Sequence, residues 1–178
     1  MDNKRARFEA SVGPHVSAAY NLARWLTRDQ HDAEDVLQEA LLRAFTFFEG
    51  FRGADARAWV LKIVRNTCFT WIKANRPSEL VVMDTVNEGL APTPPYSGSD
   101  EDPETLALRK TAAEELQHAL AGLAPALREV LVLREMEGLS YKEIAAIIEA
   151  PIGTVMSRIA RGRADLRYAL QNSRWEGR

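Results

Sequence analysis

Cysteine is almost missing from this chain. Cys68 is the single one in 178 residues, which excludes an internal disulfide framework and a cysteine-rich zinc site and suits a reducing cytoplasm. Long hydrophobic runs are also missing. None approaches the ~20 apolar residues that cross a bilayer, so no membrane insertion is expected. The opening residues, MDNKRARFEASVG, are charged where a secretory leader carries its apolar stretch, and a cytoplasmic location is expected. Histidine is sparse: His15, His31 and His118 stand apart, without partners at metal-ligand or triad spacing. No Gly-rich phosphate loop or nucleophile elbow occurs. The acidic run DEDPE lies in a Pro- and Ser-rich stretch, a poor scaffold for catalysis. The chain is therefore not expected to be an enzyme, and it calls for no catalytic residue, metal or cofactor.

What is present is ordinary in total and uneven in distribution. Hydrophobic residues make up 46% and charged residues 27%, with a net charge of -2, values usual for a soluble globular protein. Such a chain does not coat nucleic acid indiscriminately. Yet Arg43, Arg52, Arg57, Lys62, Arg65, Lys73 and Arg76 face only Glu49 and Asp55 across one segment. Asp84 to Glu104 holds six acids and no Lys or Arg. Six arginines between Pro151 and Arg178 then face only Asp165 and Glu176. Two basic blocks flank an acidic connector.

No internal repeat and no strand series appears, and the periodicity is helical. Val16, Tyr20, Ala23 and Leu26 recur near a helical period over Pro14 to Thr27. From Asp32 to Phe48, Val36, Leu37, Ala40, Leu41, Ala44, Phe45 and Phe48 form a stripe, with Asp32 expected as the cap. Glu34 and Asp35 suit the positive end of that helix. EGFRGADA reads as a loop, and a helix over Asp55 to Lys73 is ended by Pro77. Periodicity then fades until Glu104, and helices return at 104–120 and 125–137, with Pro125 at a start and Gly138 past an end. The fold class expected is all-α: two small helical domains, residues 1–76 and 105–178, joined by a flexible acidic linker, residues 77–104.

LSYKEIAAIIEAPIGTVMSRIARGR, Leu139 to Arg163, carries the most specific local pattern. Ser140 and Glu143 make an S-x-x-E capping box that starts a helix at Tyr141. Ile144 and Ile148 share a face, and Pro151 and Gly153 interrupt the pattern before a second helix. There Val155 and Ile159, four apart, anchor the core side. Thr154, Ser157, Arg158 and Arg161 are left outward, with Arg163 and Arg167 continuing the basic line. A helix-turn-helix needs this arrangement, because its second helix enters the major groove by its N-terminal residues. Hydroxyls and guanidinium groups suit phosphate oxygens and base edges. An ordinary helical hairpin with a solvated basic face meets the same spacing. Glu149 stands where glycine often makes the turn; a positive φ there costs on the order of 1 kcal/mol.

LREVLVLREMEGLSYKEIAAIIEAPIGTVMSRIARGRADLR resembles region 4 of the extracytoplasmic-function sigma factors of bacterial RNA polymerase, within the sigma-70 family. DAEDVLQEALLRAF and FEGFRGADARAWVLKIVRNTCFTWIK resemble region 2 of the same family. The resemblance implies a sigma factor that binds core RNA polymerase, recognises the -35 and -10 promoter elements and opens the -10 element. It implies docking of Asp35, Gln38, Glu39 and Arg43 on the β′ clamp helices, with region 4 meeting the β flap. Phe51 matches an aromatic of the flipped-base pocket and Asn66 a polar residue of it. Arg52, Lys62, Arg65 and Lys73 hold the strand in this reading. Thr154, Ser157, Arg158, Arg161 and Arg163 fall to the -35 duplex. Trp59 and Trp71 read as core. Thr70 departs from the family, whose members often carry an acid or amide there. The linker is implied to thread toward the RNA exit path, and an anti-sigma factor to hold the protein silent.

Two other classes share parts of the pattern. A regulator recruiting polymerase from an operator needs the helix-turn-helix but not the DVLQEA ridge or the basic block. A helical adaptor that binds only protein needs neither DNA face.

Overall fold

The computed structural model describes residues 2–53, 55–81 and 103–176, and every regular element among them is helical. The first module contains α1 (Asp2–Val12), α2 (Val16–Thr27), α3 (Gln30–Phe47), α4 (Ala56–Asn75) and the short α5 (Ser78–Val81). The second contains α6 (Pro103–Gly122), α7 (Pro125–Leu131), α8 (Tyr141–Ile148) and α9 (Ile152–Glu176). Residues 82–102, most of the expected linker, lie outside the described residues, so its expected path does too.

Helices α2, α3 and α4 pack together because each carries a stripe of small and branched apolar side chains. Leu22 and Leu26, Val36 and Ala40, and Leu61, Val64, Cys68 and Ile72 are all buried. Each large one contributes about 1.5–3 kcal/mol relative to exposure. Burial pushes the Cys68 thiol up to about 12, so it behaves as a small apolar side chain. The expected stripe on α3 is borne out, but its cap is corrected. Arg28 ends α2 with φ 62°, and the chain emerges extended at Asp29. The Asp29 carboxylate accepts from the Asp32 backbone N–H at 3.1 Å. Asp32 therefore sits in the first turn, where its charge faces the helix N-terminus and Arg76, 3.8 Å away. The charged N-terminus also forms a helix, α1, held by Phe8 packing edge-on against Phe45 and Phe48.

In α4, Asp55 caps the start by accepting from Ala58 N–H at 2.9 Å. After Pro77 the chain turns into α5, inside the stretch expected to be extended. Leu80 packs on the core, and the Glu79 carboxylate pairs with Arg28 and lies 3.9 Å from Arg76. That gathering of guanidinium groups fixes what an acidic tether would leave loose.

The second module is built around α7, which is buried on all sides, Arg128 and Glu129 included. One π-helical turn, Val132–Met136, widens the chain before Gly138, whose φ of 67° ends it. Gly162 of α9 lies close to α7; a Cβ there would come within 3.1 Å of the Leu131 side chain. Helix α7 packs on α2 of the first module, and α8 packs on α4. Arg128 secures the first of these joints. Its guanidinium donates to the carbonyls of Leu120, Ala121 and Leu123 at the end of α6. It also donates to those of Trp25 and Leu26 near the end of α2. All five are helix-end acceptors, Leu120 O also accepting from Leu123 N–H and Ala121 O from Arg28, so one planar donor ties two helix termini together.

Candidate functional site: two basic faces and the joint between them

The helix-turn-helix forms as its residues predict. Ser140 Oγ accepts from Glu143 N–H at 3.2 Å, and the Glu143 carboxylate accepts from Ser140 N–H at 2.7 Å. The Ser140 hydroxyl also donates to that carboxylate at 2.6 Å, and this bond, followed by the one from Ser140 N–H, holds the Glu143 carboxyl below the usual carboxylate range. Ile144 and Ile148 are buried, as are Val155 and Ile159. Glu149 adopts φ 54° at the turn, the left-handed conformation that favours glycine. Its carboxylate lies 2.8 Å from Lys62 Nζ, and this contact holds it below its usual range.

The -35 candidates on α9 do not all face solvent. Ser157 is exposed, with its hydroxyl donating to the Thr154 carbonyl at 3.0 Å, and Thr154 is half-buried. Arg158 lies 3.5 Å from the Glu129 carboxylate and Arg161 lies 3.7 Å from Asp165. Arg163 donates to Glu135, its Nε at 3.1 Å. The expectation that Arg158 and Arg161 stand outward is corrected. Both lie toward the edge of α9, half-buried and paired with acids of their own module. The outermost long side chains of the first turns are Ile152 and Met156, which the polar pattern left unselected.

The -10 candidates lie on α4 and the loop before it. Phe51 follows a 3-10 turn (Phe48–Gly50) and lies over Trp59, ring centroids 4.7 Å apart. It is half-buried rather than free. Gly53 makes room for this, since a Cβ there would meet the Phe51 ring at 2.9 Å. Trp59 packs on the core, as expected. Arg52 and Lys73 are exposed. Lys62 and Arg65 are not free: each meets an acid of the second module. Arg65 grips Glu129 through two N–H donors, at 2.7 and 3.1 Å, and lies over the Phe69 ring. Its third arm donates to the Asn66 side-chain oxygen at 3.2 Å. Arg57 adds a further link, donating to the Glu137 carbonyl at 2.7 Å. The docking candidates Asp35, Gln38, Glu39 and Arg43 lie exposed along α3, with Glu39 and Arg43 paired. Leu42 and Phe47, 65% and 67% exposed, join the solvent side of the same helix.

Glu129 is the residue that sequence reasoning missed. Its carboxylate is fully buried, and it receives Arg65 from the first module and Arg158 from the second. Burial pushes it above its usual range, while Arg65 and then Arg158 oppose the shift. The signal lay in LREVLVL: two adjacent charges inside an apolar helix, each needing a buried partner.

An all-helical chain whose second module is a helix-turn-helix, and whose first presents cations beside stacked aromatics, has the parts of a promoter-binding transcription protein. Residues 12–77 match the family model Sigma-70 region 2, and residues 113–166 match Sigma-70, region 4. The RNA polymerase sigma-H factor of Pseudomonas aeruginosa is 36% identical over 173 residues, covering 95% of this chain and 88% of that protein. ECF RNA polymerase sigma factor SigE of Mycolicibacterium smegmatis is 35% identical over 156 residues, 88% of this chain and 58% of that longer protein. The chain belongs to the extracytoplasmic-function sigma factors of the sigma-70 family. Among solved structures, the sigma factor RpoE of Bartonella quintana, crystallised with the anti-sigma factor NepR, superposes with a TM-score of 0.68 at 26% identity. That match covers 93% of this chain and 97% of that one. CnrH, in complex with the cytosolic domain of CnrY, shares the fold at a TM-score of 0.63 and 24% identity. Among the described residues, no helix is long and apolar enough to cross a membrane.

Proposed function

We propose that this chain is an alternative sigma factor that binds core RNA polymerase and directs initiation at promoters with matched -35 and -10 elements. Residues 1–76 dock on the β′ clamp helices through Asp35, Gln38, Glu39 and Arg43. They engage the -10 strand through Phe51, Arg52, Lys62, Arg65, Asn66 and Lys73. Residues 105–178 meet the β flap and read the -35 duplex through Thr154, Ser157, Arg158, Arg161 and Arg163. An anti-sigma factor silences the chain, in keeping with the NepR and CnrY complexes of its structural relatives.

One observation carries the reading: Glu129, Glu137 and Glu149 of the second module occupy Arg65, Arg57 and Lys62 of the first. Cations that a displaced strand needs are neutralised within the free chain. The α4 face acts only when the modules part, and polymerase supplies the scaffold that parts them. Each face then adds its own counterion-release contribution, with the second contact effectively intramolecular. The test is multi-round transcription with purified core polymerase, free of other sigma factors, on genomic promoter fragments. The chain is expected to start transcripts at defined sites. A regulator without sigma activity leaves core polymerase silent, and that result overturns the reading.

A further inference from the structure

The reading face of α9 is partly apolar, and its charges are already taken. Ile152 and Met156 are 46% and 52% exposed, one turn apart on the helix that a helix-turn-helix inserts into the major groove. Ser157 and Ala160 beside them are exposed and short, so nothing longer stands in front of Met156. A single exposed apolar side chain needs no explanation. A pair at the N-terminal end of this helix does, because that end meets base edges.

The cations nearby are better placed for the phosphates of that duplex than for its base edges. Arg158 lies 3.5 Å from Glu129, a carboxylate of its own module. Parting the modules does not release it; withdrawing Arg65 leaves Glu129 to Arg158 alone. Arg161 and Arg163 are likewise held by Asp165 and Glu135 of the second module. Guanidinium groups placed at the flanks suit phosphates, which position a helix without reading sequence. What remains to read bases is the hydroxyls of Thr154 and Ser157 and an apolar side chain. In the major groove the apolar feature that distinguishes one base is the C5-methyl group of thymine.

We propose that Met156, backed by Ile152, reads a thymine methyl group in the -35 duplex and so sets part of this chain's promoter specificity. The inference rests on the assignment of α9 to the -35 element and adds the base feature it reads. Met156 lies on the same edge of α9 as Arg163 and Arg167, at i+7 and i+11, so the methyl contact is continuous with a line of cations suited to the phosphate backbone. The flexible thioether adapts to a methyl group approached from the groove floor.

The experiment uses holoenzyme reconstituted from core polymerase and the full chain on a promoter defined by mapped transcript starts. Each -35 thymine, on either strand, is replaced in turn by deoxyuridine, which pairs identically and lacks only the methyl group. At one or two positions affinity is expected to fall about three- to fivefold, the effect of withdrawing one buried carbon. Met156→Ala is expected to bind the thymine promoter that much more weakly and to be indifferent to uridine at the same position. Met156→Leu is expected to keep the sensitivity. Methyl insensitivity at every position, or an unchanged uridine effect in Met156→Ala, overturns the proposal while -35 dependence survives. A holoenzyme indifferent to a scrambled -35 element overturns the α9 assignment and this inference together. A mapped -35 element with no A·T pair overturns the inference alone.

Discussion

The two basic faces of this molecule are neutralised in different ways. On α4, Arg57, Lys62 and Arg65 meet Glu137, Glu149 and Glu129, all carboxylates of the other module. On α9, Arg158, Arg161 and Arg163 meet Glu129, Asp165 and Glu135, all of their own module. A rigid-body separation removes the first set of partners and leaves the second intact. The same chemistry, guanidinium or ammonium against carboxylate, is therefore switchable on one face and structural on the other. Glu129 belongs to both sets, which makes it the point where opening is felt by the -35 helix. Removing Arg65 from a fully buried carboxylate leaves Arg158 as its only neutralising group.

The severest way to break this comparison is at α7, which carries both buried charges. Arg128→Ala removes the donor that joins the ends of α6 and α2 and takes from the Trp25, Leu26 and Leu123 carbonyls their side-chain partner. Loss of such a network costs about 3–5 kcal/mol, read as a lower urea midpoint. Arg128→Lys should recover little, because an ammonium cannot span acceptors on two helices as a planar fork does. Full recovery by lysine would show that charge alone, not geometry, makes the joint.

A second contrast separates the two sets of cations directly. Glu137→Gln with Glu149→Gln should remove the charges that neutralise Arg57 and Lys62, making both available to single-stranded -10 DNA although Arg57 keeps the Glu137 carbonyl. The logarithmic salt dependence of the free chain's binding then steepens by about 0.7 per cation released. Glu135→Gln with Asp165→Asn should leave that single-strand slope where it was. It should steepen the slope on duplex -35 DNA instead, by about 0.9 per cation. Equal changes on both DNAs from both pairs would erase the distinction between the faces.

Much of this architecture was legible in the residues. The capping box at Ser140, the stripe on α3, the left-handed turn at Glu149 and the buried pair Val155 and Ile159 follow from local spacing. Local spacing fails where a neighbour in space decides. Asp32 and Asp29 both suit a cap, and the left-handed Arg28 selects Asp29 by setting where the chain emerges extended. Arg158 and Arg161 look outward on a helical wheel, yet Arg158 bends toward a carboxylate that only the tertiary fold supplies, and Arg161 toward Asp165 one turn along its own helix. Arg128 and Glu129 are adjacent letters with opposite fates, one among backbone carbonyls, the other among guanidinium groups. No pattern within α7 predicts that, because both sets of partners come from elsewhere in the chain. The clustering of cations between Phe51 and Arg76 was read as a surface for DNA. In the closed chain much of it is an interface, and the two uses share the same charges.

Glu149 gives the smallest and most discriminating test, because it belongs to a turn and to the joint at once. As the residue that ends α8 with φ 54°, it occupies backbone space that glycine adopts without strain. As a carboxylate it holds Lys62 at 2.8 Å across the modules, on a surface open to solvent. Exposed pairs of this kind contribute little to folding, so relief of the turn should prevail in Glu149→Gly, raising its urea midpoint slightly. The same substitution should loosen the contact between α8 and α4, seen as a longer mean distance between dyes on the two modules. Glu149→Gln loses the charge but keeps the strained backbone, and should loosen the joint without raising the midpoint. If Glu149→Gly instead lowered the midpoint, the ion pair would outweigh the turn, and Lys62 would count as a structural cation rather than a switchable one.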